Sequence, residues 1–391
     1  MAARRQEGHV RERVKGSGSF EIRYSLGVNP LTGKRRTVTA TVTGTLADAK
    51  RELRRRLHAK DENTHIDPSR STVSDFIDHW ERDWATGHVS KKTFERYSEL
   101  LRKHVKPHIG AVQIQKLKPV NLNELYAKLQ RKEDGGAGLA PRTVGHVHRV
   151  LHRVLGHAAE WGVIQSNIAS TVTPPRVDST EVEVMSPDQC RAVLRHLEGR
   201  PLHIIVSTAL ATGMRRGEIL ALRWQDIDLD RSLARVERSL EQTHGKENNL
   251  RFKQPKTKHG RRSIALPAYL VAELRAHWKA QQEQRLSMGL GKAPADSLVF
   301  ARFDGEARAP NGLTKEWALT MKAMKMGFTF HSLRHTHASQ LIASGMDVLT
   351  ISRRLGHSTP TITLGVYGHL FPDSDARAAQ IMDAAFSGRT E

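Results

Sequence analysis

The stretch Phe330-His331-Ser332-Leu333-Arg334-His335-Thr336-His337 leads to Leu355-Gly356-His357-Ser358 and then to Gly365-Val366-Tyr367-Gly368-His369-Leu370. Its punctuation predicts three short helices. Ser332 is placed to cap the first, which stops at Gly345, and Asp347 to cap the second, which stops at Gly356. Thr359-Pro360 opens the third, with proline at the first helical position, where its missing N–H costs nothing. His331 and Arg334 are three residues apart, so one helix start can aim both at the same point. Leu333, Leu341, Val348, Ile351 and Leu355 are left to pack the other faces. The expected result is a frame holding polar groups around Tyr367.

A tyrosine hydroxyl ionises near pH 10 and is a poor nucleophile at neutral pH. Against a phosphodiester it also meets negative charge, which fixed guanidinium groups can neutralise as it grows on the phosphoryl oxygens. Two arginines, two imidazoles and an acid for the leaving oxygen would make a metal-free phosphoryl-transfer site. The second arginine and the acid must lie upstream. Ala211-Thr-Gly-Met-Arg215-Arg-Gly-Glu218 sets an arginine after a glycine turn, with Glu218 three residues on to hold its fork. Lys253-Gln-Pro-Lys256-Thr-Lys258-His-Gly-Arg-Arg-Ser-Ile-Ala-Leu-Pro reads as a β-hairpin with a basic tip that can reach DNA and donate a proton.

Together these blocks resemble the catalytic signature of the tyrosine recombinases, the phage-integrase family: Thr-Gly-x-Arg-x-x-Glu, a hairpin lysine, His-x-x-Arg, Leu-Gly-His and Tyr, in that order. Each block alone is weak; five in order, with Tyr367 ten residues after His357, are a strong signal. The resemblance implies that Tyr367 attacks a backbone phosphate to form a 3′-phosphotyrosyl link. It assigns Arg215, Arg334 and His357 to the phosphoryl group, His331 to proton transfer at the tyrosine, and Lys256 to the departing 5′-oxygen. It further implies no cofactor and no metal, homotetramers acting on double-stranded DNA attachment sites through a Holliday junction, and accessory DNA-bending and directionality proteins.

The composition agrees with a polyanionic partner. Formal net charge over 391 residues is +21, with 62 Lys and Arg against 41 Asp and Glu. The single Cys190 excludes a disulfide framework and a cysteine zinc site. His331, His335 and His337 lack the His-Glu-x-x-His pattern and a nearby carboxylate, so a metal is not expected; His335 and His337 are read as packing or contacting phosphate. No run of eighteen apolar residues and no secretory h-region is present, so a soluble cytoplasmic protein is expected, working on DNA in a bacterial host and without a membrane partner.

The expected fold class is multi-domain α+β. Residues 1–66 carry 15 Lys and Arg against 7 Asp and Glu. They begin with a charged, mobile segment to residue 15, then two β-rich runs, Phe20–Leu26 and Arg36–Thr43, around an Asn29–Gly33 turn. Thr45 and Asp48 form a capping box for a helix with the stripe Leu46, Ala49, Leu53 and Leu57. This small sheet-plus-helix domain resembles the family's arm-type DNA-binding domain. Residues 72–172 fit its helical, SAM-like core-binding domain. The last helix there, Pro141–Trp161, has one apolar face and a cationic face of Arg142, His146, Arg149, Arg153 and His157, suited to DNA. Lys253 and Lys258 are further candidate DNA contacts. After a linker with Pro174-Pro175, residues 181–391 make a mostly helical catalytic domain with a small antiparallel sheet. Its tail, with Ile381, Met382, Ala385 and Phe386 at helical spacing, looks suited to dock on a neighbour.

The reading is a site-specific recombinase that integrates or excises a phage or other mobile element. Two alternatives stand beside it. A type IB topoisomerase uses nearly the same residues, but an arm-type domain argues against it. A non-catalytic DNA-binding protein on the same scaffold would be free to lose Tyr367 or an arginine, and this chain keeps all five blocks.

Overall fold

Phe20, Ile22 and Tyr24 are buried while Glu21 and Arg23 are not, the period of two that seats one face of a strand on a core. That strand, β2 (Ser19–Val28), pairs antiparallel with β1 (Gly8–Glu12) on one side and β3 (Arg35–Thr43) on the other. The sheet packs on the helix Leu46–Asp61 through Ala49 and Leu53. Thr45 and Asp48 cap that helix reciprocally, the Asp48 carboxylate accepting the Thr45 N–H at 3.0 Å. Two expectations are corrected here. Residues 8–12 form a strand rather than a mobile lead, because Val10 reaches the apolar cluster beneath the sheet. Leu46 is 47 % exposed and stands outside the apolar cluster that Ala49, Leu53 and Leu57 join.

The computed structural model describes residues 8–28, 35–61, 66, 69–132, 137–178, 182–243, 250–254, 260–371 and 375–386. The expected Asn29–Gly33 turn and most of the linker after Asp61 lie outside them. The chain divides into two compact units, Met1–Val177 and Asp178–Glu391.

Within the first unit a second apolar cluster is built by four main helices, Val73–Trp80, Lys91–His104, Pro119–Gln130 and Pro141–Glu160. In the last of these, Val144, Val147, Leu151, Val154, Leu155 and Ala158 are buried, and Pro141 opens the helix. Arg142, His146, Arg149 and Arg153 are exposed on its outer side. His157 does not join them. Its Nδ1 accepts the Trp80 indole N–H at 2.7 Å, and the ring stacks among Trp80, Trp84 and Trp161. A fully buried indole needs an acceptor, and His157 is the group that meets it. Burial accordingly pushes the His157 pKa down.

The second unit surrounds two small antiparallel ladders with helices. β4 (Ile227–Asp228), β5 (Leu233–Val236) and β8 (Arg262–Ala265) form one; β6 (Ser239–Gln242) and β7 (Leu250–Lys253) form the other. Among the described residues, the two ends of the Lys253–Pro267 stretch therefore do not pair with each other as a hairpin would. Its first end pairs with β6 and its last with β5, so it connects two ladders. Residues 255–259, which include Lys256 and Lys258, lie outside the described residues. The main core of this unit joins Leu202–Thr212, Ala268–Ser287 and Pro310–Ala323. The three final expected helices run Ser332–Ala343, Val348–Leu355 and Pro360–Tyr367. Asp347 caps the second, accepting from the N–H groups of Leu349 and Thr350 at 2.9 Å. Ser332 is the first residue of its helix rather than its cap; its hydroxyl accepts the Thr329 N–H, which closes the preceding turn. Among the described residues no helix is long and apolar enough to cross a membrane.

Candidate active site

The chain reaches Arg215 through a left-handed turn. Gly213 ends its helix at φ +64°, and a Cβ there would stand 2.6 Å from His337 Cδ2. Arg215 then donates from Nη1 to Glu218 Oε1 at 2.8 Å and from Nη2 to the Gly356 carbonyl at 3.1 Å. Gly356 is the second left-handed turn, φ +67°, ending the Val348–Leu355 helix. Two glycine turns thus bring chain segments about 140 residues apart to one arginine. Arg334 lies beside them, 3 % exposed, donating to the carbonyls of Gly213 and Leu355 at 2.8 Å each. Burial, and then Arg215, press down the Arg334 pKa, but at neutral pH it stays a cation.

Glu218 is the anion at the centre of this cluster. It is 6 % exposed, accepts the backbone N–H of Arg215 at 3.0 Å, and accepts Arg262 Nη2 at 2.8 Å. Burial alone would raise its pKa; Arg262 and Arg215 outweigh this and hold it below the ordinary carboxylate range. Arg262 also donates from Nε to the Arg354 carbonyl at 2.7 Å, tying β8 to the Gly356 turn. Sequence reasoning passed over Arg262. The signal was there: it shares parity with the buried Ile264 and Leu266, so strand alternation points it inward.

Arg215, His331, Arg334, His357 and Tyr367 line one cleft of about 500 Å³, with Glu218 and Lys253 also in its walls. Lys253 forms an ion pair with Glu241. His357 Nδ1 bonds Thr363 Oγ1 at 2.8 Å, which leaves Nε2 for a ligand. The desolvating walls of the cleft, then nearby cations, push His331 and His357 down to about 4. Both are neutral at pH 7, so each can offer one N–H without adding charge. Arg142, Arg149 and Arg153 belong to the first unit, outside this cleft.

Tyr367 is 1 % exposed and packs with Ala338, Ile342, Ile351 and Leu355. Burial pushes its pKa up to about 12, against the pull of Arg334 and Arg215. Its hydroxyl meets His335 Nδ1 at 2.8 Å. His335 thus packs against Tyr367 and adds to that packing a hydrogen bond to its hydroxyl. The residue stands one helical turn after His331, on the same face, and so reaches the same site.

His337 is structural. Its Nδ1–H donates to the Leu210 carbonyl at 2.7 Å, and Nε2 accepts Arg354 Nε at 3.0 Å. Burial, and then Arg354, push its pKa down to about 4, against 6.5 in an unfolded chain. Between those values the unfolded chain holds the extra proton, so stability is full above about pH 6.5 and falls as pH drops toward 4. At its limit this single group accounts for about 3 kcal/mol. Urea midpoints should fall between pH 7 and pH 4.5, and His337→Gln should flatten that slope while lowering stability at pH 7. An unchanged slope in the variant would remove His337 as its source.

The chain is similar to known proteins over most of its length. Residues 183–373 match the phage integrase family and residues 72–130 the phage integrase N-terminal SAM-like domain. A XerC-like tyrosine recombinase of Caldanaerobacter subterraneus is 26 % identical over 338 residues, covering 82 % of this chain and 85 % of that protein. The ICEBs1 integrase of Bacillus subtilis is 24 % identical, covering 94 % of this chain and 97 % of its own length. Among solved structures, the Tn1549 transposon integrase in complex with transposon right end DNA superposes with a TM-score of 0.66 at 21 % identity, covering 80 % of this chain and 99 % of that one. A lambda integrase tetramer bound to a Holliday junction gives 0.55 at 16 % identity, covering 90 % and 96 %. The chain belongs to the phage integrase family and is an enzyme of the tyrosine recombinase class.

Proposed function

We propose that the protein cuts and rejoins double-stranded DNA at the attachment sites of a phage or other mobile element, with Tyr367 as nucleophile. The observation that carries this is the convergence of Arg215, Arg334, His357 and Tyr367 on one cleft whose only anionic wall, among the described residues, is the already neutralised Glu218. Such a cleft attracts a phosphodiester. In the step proposed, the Tyr367 oxygen bonds to phosphorus and the bond to the 5′-oxygen breaks, leaving a 3′-phosphotyrosyl link. Arg215 and Arg334 neutralise the equatorial oxygens, and His357 donates from Nε2–H. His331, at the cleft mouth, adds a second imidazole toward the phosphate. The departing 5′-oxygen takes a proton from a lysine, Lys256 by the sequence resemblance. A 5′-hydroxyl from the partner duplex reverses the step. The bond energy is kept in the phosphotyrosine, so no energy-rich cofactor is consumed.

The exposed Arg142, Arg149 and Arg153 fit phosphate contacts along the duplex, and Lys253 and Lys258 are further candidate DNA contacts by the sequence. The sheet-plus-helix at 1–66 reads as an arm-site binder, residues 72–172 as a core-site binder and 181–391 as the catalytic domain. The exposed Ile381, Met382 and Phe386 on the Asp375–Phe386 helix fit docking on a neighbouring protomer, and the lambda tetramer suggests four copies on DNA. Accessory bending and directionality proteins and a cytoplasmic setting complete the reading.

The test uses a nicked duplex spanning the junction that flanks the gene in its host genome. A denaturant-resistant protein–DNA adduct is expected with the wild type and none with Tyr367→Phe. An adduct with both would move the nucleophile elsewhere. Salt-sensitive binding without an adduct from either would favour a non-catalytic DNA binder.

A further inference from the structure

Among the described residues, the Tyr367 hydroxyl is hydrogen-bonded to His335 Nδ1, at 2.8 Å. The two rings meet edge to face with centroids 5.6 Å apart, and the His331 ring stands against His335 at 4.7 Å and 90°. His331 itself faces the open cleft. Resting on the reading of Tyr367 as nucleophile, we propose that His335, rather than His331, is the base that takes the tyrosine proton during strand cleavage and returns it on rejoining.

The step balances. The Tyr367 O–H bond breaks as the oxygen bonds to phosphorus, and the proton moves to His335 Nδ1, giving an imidazolium. The phosphorus–5′-oxygen bond breaks, and that oxygen takes its proton from the lysine proposed above. In the reverse step the imidazolium protonates the tyrosine oxygen as it leaves phosphorus. The geometry supports the role. The 2.8 Å separation is within reach for direct transfer, with no intervening water. His335 is also part-buried, and burial with Arg334 lowers its affinity for protons, so the ring is neutral at neutral pH and in its Nε2–H tautomer Nδ1 accepts the tyrosine O–H. An incoming phosphodiester anion then offsets the guanidinium charge and makes the imidazolium easier to form.

His335→Asn keeps a polar atom near the Nδ1 position but cannot take the proton. In the full-length protein, on the nicked duplex described above, single-turnover cleavage should fall by roughly 10²–10³ near pH 7. The wild-type rate should level off above the histidine pKa, whereas the variant's should keep rising about tenfold per pH unit as hydroxide takes over. A duplex with sulfur in place of the 5′-bridging oxygen needs no leaving-group acid, so it should leave the H335N defect in place. Cleavage within about threefold of wild type with the same pH profile would overturn the proposal. So would full rescue by the sulfur substrate, which would put His335 on the leaving-group side. Should H335N melt below the assay temperature, H335Q takes its place with the same expectations. Tyr367→Phe run in parallel separates the two readings. An adduct from it sinks the nucleophile assignment, whereas no adduct from it and normal cleavage by H335N sinks only this one.

Discussion

Arg334→Ala is expected to abolish strand cleavage and to destabilise the catalytic unit in the same stroke. The guanidinium is 3 % exposed and donates to two carbonyls, Gly213 and Leu355, that end two different helices. Removing it leaves both acceptors buried without donors, at about 1–3 kcal/mol each, and opens a void where the side chain lay. It also takes away a cation fixed beside Tyr367, where a phosphoryl group must shed charge. Loss of one such preorganised donor costs roughly 10²–10³ in rate, and a full charge more. Urea unfolding should therefore show a loss of about 3–5 kcal/mol, and single-turnover cleavage should fall at least about 10³-fold. Arg334→Lys keeps the charge but has no fork, so it should satisfy one carbonyl and fall between the two. Cleavage by Arg334→Ala within tenfold of wild type would remove the residue from the chemistry.

Glu218→Ala should unfold the site from its electrostatic centre. The carboxylate accepts from the Arg215 backbone, from Arg215 Nη1 and from the buried Arg262 Nη2. Without it, Arg215, Arg262 and Arg334 face one another around Gly356 with no counter-charge. Breaking a buried pair by deleting one partner costs about 3–5 kcal/mol, because a buried charge is left uncompensated. The variant should melt lower than wild type and recover more than wild type does when sulfate or phosphate is added, since an oxyanion in the cleft replaces part of the lost charge. Equal responses to the anion would mean that Glu218 holds the fold without balancing the cleft.

Much of this arrangement was legible in the sequence, for local reasons. Pro141 and a clean apolar stripe bound the Pro141–Glu160 helix, and Asp347, Gly356 and Pro360 bound the helices around Tyr367. Gly213 before Arg215 announced a turn that only glycine adopts easily. What was missed depends on partners distant in the chain. A period of two marks β7 and β8 as strands but does not say which strands they join, so in sequence two separate ladders look like one hairpin. His157 had the spacing of a cationic face, yet a buried indole 77 residues away claims it. His335 was legible only as a neighbour of Arg334; its bond to Tyr367 spans 32 residues and three helices.

Every role proposed for the cleft depends on Tyr367 being the group joined to DNA. The measurement that tests it most directly is mass spectrometry of the denatured, nuclease- and protease-digested adduct formed on the nicked duplex. The peptide spanning 355–377 should carry a nucleotide through a 3′-phosphate on Tyr367. The same modification on any other residue, or a 5′-phosphate link, would contradict it.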